Sequence, residues 1–171
     1  MIGSLTTSPA HEHPELLGPT VPAALPPDAL VAPIDPELAD TAAFCDAYGV
    51  ALGQSANCVV VAAKRGGETR YAACVVLATT RVDVNGVVRR HLDARKVSFA
   101  PMDTAVAETS MEYGGITPFG LPASWPVLVD AAVLAVPLVV VGSGIRGSKL
   151  VVTGTSLGQL PTAEVLTGLA G

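Results

Sequence analysis

Two apolar segments joined by a short turn constrain the fold of this chain more than any other feature. Residues 58–63 form a run of small and β-branched side chains, which is typical of a buried strand. Residues 64–68 follow with Gly66 and Gly67 at their centre, and this composition predicts a hairpin turn. Residues 70–79 are then the returning strand. A buried hairpin of this kind requires further layers of structure on the sheet.

The remaining segments mix the two secondary-structure types without a regular strand–helix–strand rhythm, and we find no internal repeat. We therefore predict an α/β or α+β fold, in which a mixed sheet or partial barrel is wrapped by helices. The predicted helices are residues 37–48 ending at Gly49, residues 84–92 capped by Asp83, residues 104–110 capped by Asp103, and residues 162–169; the further strands are residues 96–100, 126–130, 133–141 and 149–153.

The chain divides by composition into a leader, residues 1–36, and one domain, residues 37–171. Eight prolines interrupt the leader, so we expect it to be extended. Residues 1–56 carry seven acidic groups and no Lys or Arg, whereas the rest carries ten basic and eight acidic groups. The net charge of −5 therefore hides a mildly basic body, which does not repel a partner that bears phosphates.

Several classes of protein are excluded by the same composition. The longest apolar run, residues 131–141, is too short for a membrane span and contains Pro137. No basic residue precedes Lys64, so a secretory signal is not indicated and we expect a cytoplasmic protein. The three cysteines lack a Cys-x-x-Cys pair and are expected in the core. We predict neither a metal site nor a cofactor.

Residues 111–120 form a loop whose composition suits a site that works through its backbone. Gly114 and Gly115 allow a ligand to approach the main chain closely, whereas Thr117 and Pro118 are conformationally restricted. Such a loop can direct peptide dipoles at a small group without supplying a titratable side chain. The alternative is a tight turn that joins a helix to a strand.

A second glycine-rich segment, residues 142–147, matches the dinucleotide fingerprint G-x-G-x-x-G. That fingerprint requires a helix to begin inside it, whereas residues 149–153 predict a strand, so we interpret the segment as a turn between strands. Arg146 within it is a candidate to bind a phosphate or a carboxylate, and the alternative is an ordinary surface arginine. A serine hydrolase is not indicated, because the chain has no Gly-x-Ser-x-Gly sequence.

Taken together, the two glycine segments resemble the YbaK/EbsC group of aminoacyl-tRNA deacylases, which is similar to the editing insertion of bacterial prolyl-tRNA synthetases. Residues 114–120 resemble its Gly-Gly-x-Ser/Thr-Pro-x-Gly loop, and residues 144–147 resemble its Gly-x-Arg-Gly turn. The resemblance covers about residues 37–170. It implies a compact editing domain that hydrolyses the ester of a mischarged tRNA without a metal, with the tRNA 3′ end as its partner.

The resemblance also implies site residues. Gly114, Gly115 and Thr117 would be the catalytic elements, and the substrate-binding residues would be Asn57, Pro118, Ser143, Arg146 and Lys149.

The chain departs from the family's pattern in three places. Asn57 stands where the family has a lysine, and Gly142 stands where relatives have a serine, for which Ser143 is a substitute. Lys149 stands where an acidic residue can occur, and it is a candidate to restore the missing charge. Two hypotheses follow: a trans-editing deacylase, or a binding module of the same fold without activity. The acidic leader is a candidate docking segment for an aminoacyl-tRNA synthetase.

Overall fold

The structure, a computed structural model, describes residues 2–171. Short 3₁₀ turns occupy much of the first 54 residues, and a single π-helical turn, Val84–Val88, precedes the second helix. The strands are β1 (Ser8–Pro9), β2 (Leu30–Pro33), β3 (Ala56–Arg65), β4 (Glu68–Leu77), β5 (Lys96–Phe99), β6 (Val127–Asp130), β7 (Leu138–Gly142), β8 (Ser148–Thr153) and β9 (Ala163–Leu166). The helices are α1 (Thr41–Tyr48), α2 (Arg89–His91), α3 (Met102–Thr109), α4 (Ala131–Leu134) and α5 (Gly154–Leu157).

The predicted hairpin is confirmed and forms the longest ladder of the fold. Strands β3 and β4 pair from Ala56 with Leu77 to Arg65 with Glu68, which leaves a two-residue loop. Its residues, Gly66 and Gly67, have φ values of 59° and 81°. Two consecutive left-handed residues give a hairpin turn whose twist matches that of the flanking strands, and glycine takes this conformation without strain.

Nine strands form two sheets within the described residues. The first sheet has the order β1-β2-β8-β7 and is antiparallel, and the second has the order β5-β3-β4-β6-β9 with parallel pairs at β4–β6 and β6–β9. An isolated bridge between Ser55 and Val140 joins them, and the described strands do not close into a barrel. The mixed class predicted from the sequence is therefore confirmed.

Alternation along the central strands divides the core into layers. In β4, Ala73 and Val75 face the core between the sheets, whereas Cys74 and Val76 face a second core on the outer side. Because successive side chains of a strand point to opposite faces, one apolar run supplies both layers. Cys58 and Cys74 lie beside and in these two cores, and Cys45 lies in a third cluster with Phe44, so the expected core positions are confirmed. Burial raises the pKa of the Cys74 thiol to about 12.

The N-terminal segment packs against the body. Strand β2 pairs with β8, Val21 and Val31 are fully buried, and the amide of Gly18 donates to the Ser143 carbonyl at 2.9 Å. Within residues 2–34 the chain thus supplies part of the first sheet and a contact to the second glycine segment.

Two predicted elements are wrong. Residues 133–141 are not one strand: α4 ends before Pro137, and β7 begins only at Leu138. A strand through Pro137 would lose a ladder hydrogen bond, since proline has no N–H to donate. Residues 162–169 are not a helix but contain β9, which pairs with the otherwise open edge of β6. The tertiary need for an edge partner overrides the local helical spacing.

The helices predicted near residues 84 and 104 are partly right. Asp83 accepts hydrogen bonds from the amides of Gly86 and Val87 as predicted, but the turn that follows is π-helical before it becomes α2. Helix α3 starts at Met102, and Pro101 rather than Asp103 precedes it. No helix within residues 2–171 combines the length and the apolar character needed to cross a membrane.

Candidate active site

A cavity of about 370 Å³ opens where the two sheets meet, and we call it the junction cavity. Strand β3 forms one wall, the ends of β7 and β8 form another, and the start of α1, the glycine loop and α3 complete it. Asn57, Gly114 and Lys149, which the sequence assigned to the site, all line it. They lie far apart in the sequence, so the fold brings them together.

Lys149 is the most unusual residue of this cavity. Its side chain is only 8% exposed, and its Nζ donates to the Ala39 carbonyl at 2.9 Å and lies 5.2 Å from the centre of the Phe44 ring. In the strand ladder it stands opposite Gly142, which has no side chain to cover it. Burial lowers the pKa of Lys149, and this effect outweighs the opposite effects of Cys45 and Asp40.

Asn57 faces the same cavity from β3, the strand on the opposite wall. Its Oδ1 accepts a hydrogen bond from Thr41 Oγ1 at 2.6 Å. This bond fixes the orientation of the amide and directs its NH₂ group away from Thr41. Within residues 2–171 no acceptor binds that NH₂ group, so the cavity has two N–H donors available at this position.

The glycine loop enters the cavity through one tight turn. The amide of Gly115 donates to the Glu112 carbonyl at 2.9 Å, and Gly114 between them has a φ of 79°. A positive φ at the third position of a turn is the requirement that glycine meets in type II turns. The amide of Gly114 has no acceptor within the described chain.

Backbone hydrogen bonds join the two glycine segments behind this turn. Gly144 N donates to the Gly115 carbonyl at 2.6 Å, and Glu112 N donates to the Gly144 carbonyl at 2.9 Å. The Arg146 amide also donates to a carboxylate oxygen of Glu112 at 2.8 Å. Gly115 is buried with its N–H and its carbonyl both engaged, whereas Gly114 lines the cavity with its amide unpaired within the described residues.

Arg146 holds this loop from outside the cavity. Its guanidinium donates to the carbonyls of Tyr113, at 3.1 Å, and Pro36, at 3.0 Å, and lies 5.6 Å from the centre of the Tyr113 ring. A further Nη1 contact to Asp40 measures 4.0 Å. The fork of donors that the sequence offered to a phosphate is thus occupied by the protein's own backbone.

Three other sequence-assigned residues lie behind the cavity wall. Thr117 and Ser143 are fully buried and Pro118 is buried as well, and none of them lines the cavity. The Ser143 hydroxyl shares its one hydrogen between the carbonyl oxygens of Ile145 and Ser148, both 3.1 Å from Oγ. Thr117 Oγ1 has no partner within the described residues. Alternation along the end of β7 explains the position of Ser143, because Gly142 faces the cavity and the next residue must face away.

Gly142 itself leaves no room for the serine of its relatives. A Cβ at this position would collide with the Ile116 carbonyl oxygen and lie 2.8 Å from the Gly115 carbonyl oxygen. The glycine loop is therefore packed directly on the backbone of β7, and neither Gly142 nor Ser143 supplies a hydroxyl to the cavity.

Sequence reasoning missed several residues at the rim. Asp40 stands at the N-cap position of α1, yet its carboxylate caps no amide and lines the cavity instead. Phe99, Met102 and Tyr113 also line the cavity and remain 59%, 48% and 52% exposed. Exposed large apolar side chains around a cavity are a typical sign of ligand contact. Only Asp40 carried a signal in the sequence, as a residue suited to an N-cap.

Comparison with known families decides what kind of domain this is. The sequence profile described as "Aminoacyl-tRNA editing domain" matches residues 35–160. The chain belongs to the aminoacyl-tRNA editing domain family. The resemblance inferred from the two glycine segments is therefore confirmed.

Solved structures agree with the editing fold. A crystal structure of a candidate trans-editing enzyme for prolyl tRNA synthetase superposes with a TM-score of 0.69 and 21% identity, covering 80% of this chain and 83% of that one. The crystal structure of a hypothetical protein gives a TM-score of 0.70 at 20% identity, covering 84% and 90%. No curated protein sequence matches the chain. The family supports a deacylase role for this editing domain and does not favour a binding module without activity.

Proposed function

We propose that this editing domain acts in trans as a freestanding deacylase, which hydrolyses the ester that joins a wrong amino acid to the terminal ribose of a tRNA. The observation that carries the proposal is a cavity whose hydrogen-bond donors are largely unused. Lys149, Asn57 and the Gly114 amide all face a space large enough for a small acylated ribose.

The number of donors fits acyl transfer. An ammonium has three N–H donors, and Lys149 uses one of them on Ala39. The amide of Asn57 has two more, and the peptide of Gly114 has one. An ester carbonyl becomes an oxyanion when it is attacked, and donors that are already in place stabilise that charge. Asn57 and Lys149 also account for the missing family lysine, since the charge comes from β8 instead of β3.

The substrate's own amino group needs an acceptor, and the rim offers one. Asp40 lines the cavity and uses its carboxylate neither for capping nor for a contact shorter than the 4.0 Å to Arg146. We assign it to the α-ammonium of the bound amino acid. Deeper in the cavity, Ala39, Ala56 and Ala105 line the walls. A wall in which alanines recur favours an amino acid with a small side chain.

The reaction is then a simple hydrolysis. The oxygen of a water attacks the ester carbonyl carbon, and the resulting negative charge lies on the former carbonyl oxygen near Lys149 and the Gly114 amide. Collapse of this intermediate breaks the bond to the ribose oxygen, which takes up the proton that the water released. The products are the free amino acid and an intact tRNA. Gly115, Thr117, Pro118, Ser143 and Arg146 would act by holding the loop that carries Gly114.

The partner of this reaction is the aminoacylated 3′ end of a tRNA, and we place the protein in the cytoplasm, where tRNA is charged. A synthetase that makes the error is a further candidate partner. The acidic charge of residues 1–56 supports this assignment, since it offers a surface for a basic protein.

A panel of tRNAs mischarged with different amino acids tests the function. We expect amino acids with small side chains to be released well above the rate in buffer, and those with large side chains not to be. The Gly53→Ala variant is the matched control, since a Cβ there meets no atom within 4 Å. Release at the buffer rate for every member of the panel would refute the proposal.

A further inference from the structure

Six of the ten basic residues gather at one end of the second sheet. The β3–β4 turn and the connection from α2 to β5 meet there, and we call this surface the basic end: Lys64, Arg65, Arg89, Arg90, Arg95 and Lys96. With Glu68 and Asp93 included, the surface carries a net charge of +4. The other residues carry four cations and thirteen carboxylates, a net charge of −9. The molecule is therefore strongly polarised despite its acidic total.

A pair of lysines at this end is costly to the fold. Lys64 and Lys96 stand directly opposite each other in the β3–β5 ladder, and both are exposed. Like charges in facing positions destabilise a sheet. Within residues 2–171 no carboxylate lies within 4.0 Å of either ammonium, so neither lysine is in an ion pair in the described protein. An anion bound from solution would reduce the repulsion between them.

Most of the arginines beside this pair are also free to bind an anion. Together with Asp93 and Ala94, four of them line an open depression of about 440 Å³: Arg65, Arg89, Arg90 and Arg95. Arg65 is paired with Asp93 at 3.2 Å, with both side chains well exposed, and Arg89 Nε donates to the Asn85 carbonyl. The other two arginines form no ion pair within the described chain. Guanidinium groups clustered in this way are suited to phosphate oxygens.

The same strands connect the basic end to the junction cavity. Val60 of β3 and Ala100, which follows β5, line the cavity and are joined by a backbone hydrogen bond of 2.9 Å. Lys64 and Lys96 lie four residues further along each strand, about 13 Å away at the rise of a β-strand. An RNA strand that leaves the cavity alongside β3 and β5 therefore reaches the two lysines within a few nucleotides.

We propose that the basic end binds backbone phosphates of the tRNA acceptor end while the 3′-terminal ribose lies in the junction cavity. The inference rests on the proposed function, because the cavity fixes which end of the RNA lies nearby. The basic end then supplies affinity for the tRNA as such, whereas the cavity selects the amino acid.

Salt dependence of binding tests this surface without relying on catalysis. The variant with Lys64→Gln and Lys96→Gln removes two cations, and Arg81→Gln removes one beyond the opposite end of β4 as a matched control. Each phosphate contact contributes about 0.7 to 0.9 to the slope of log affinity against log salt. Between 50 and 200 mM salt, the affinity of the natural chain for uncharged tRNA should therefore fall about tenfold more than that of the double variant.

The outcomes separate this inference from the proposed function. We expect Arg81→Gln to keep the natural slope and Arg90→Gln with Arg95→Gln to reduce it as the lysine variant does. In deacylation assays, the preference for mischarged tRNA over a 3′-aminoacyl-adenosine, which lacks the backbone phosphates, should fall in the lysine variant. An unchanged slope in both double variants, with thermal melting showing that they are folded, would overturn the inference. A failure to hydrolyse any substrate would refute only the function.

Discussion

Replacing Lys149 with methionine is the most direct test of the site chemistry. Methionine has a similar length without the charge, so the cavity keeps its shape while the ammonium is lost. If the ammonium lies about 4 Å from the developing oxyanion, an effective dielectric constant of about 20 gives an interaction of about 4 kcal/mol. Loss of one preorganised oxyanion donor in other enzymes costs about 10² to 10³ in kcat. Both routes predict a fall of two to three orders of magnitude.

The assay is single-turnover release of the amino acid from mischarged tRNA, with enzyme in excess, so that product release does not mask the chemical step. Thermal melting of the same variant is needed, because the Ala39 carbonyl loses its donor when Nζ is removed. The variant must be folded at the assay temperature for the rate to be informative. A rate within about threefold of the natural chain would refute the electrostatic role of Lys149, since that corresponds to well under 1 kcal/mol.

A second substitution tests whether the positive charge must lie on β8 or can also lie on β3. Asn57→Lys returns a cation to the strand where relatives have one, and both residues line the same cavity. We expect the double variant with Lys149→Met and Asn57→Lys to release the amino acid at least tenfold faster than Lys149→Met alone. No recovery, in a variant that melts normally, would show that the cavity needs the charge on β8 alone.

Three further predictions concern pH and packing. Burial lowers the pKa of Lys149 below the ordinary 10.5, so the ammonium is lost as the pH rises through that lowered pKa. The enzymatic rate above the spontaneous rate should therefore already fall with rising pH at values below 10.5, and Lys149→Met should lack this fall in a pH–rate profile. Gly142→Ser should lower the melting temperature at a cost of about 1 to 3 kcal/mol, because its Cβ meets two carbonyls of the glycine loop; equal melting would refute that close packing. Gly18→Ala places a Cβ 3.0 Å from the Gly144 Cα, so kcat should fall about tenfold while Gly53→Ala keeps the natural value.

The sequence predicted the fold where local chemistry decides the structure. The β3–β4 hairpin follows from two glycines between apolar runs, and the end of α1 follows from Gly49, which has a φ of 66°. Local spacing failed at one edge of the second sheet, where a strand was predicted as a helix, and in the first sheet at the start of β7. Strand β9 pairs with the edge of β6 that β4 leaves open. This long-range pairing stabilises the strand, and the local sequence of residues 162–169 gives no sign of it.

The candidate site was predictable in part for the same reason. Asn57, Gly114 and Lys149 were named from the sequence, and all three line the cavity. Spacing alone does not show which member of a motif faces a cavity, so Gly115, Thr117 and Ser143 were assigned to the site although they lie behind its wall. Asp40 and Thr41 were missed because their role depends on where α1 begins relative to β3.

The pairing of β2 with β8 has a consequence for how the protein is made. Val31 pairs with Leu150, so β2 cannot form its ladder during synthesis until residues 148–151 have left the ribosome. Contacts so distant along the chain slow folding, because a long loop must close before they form. Lys149 lies on that late strand, so the complete cavity cannot exist in a nascent chain. A product truncated before β8 therefore lacks the cavity, although it retains the basic end.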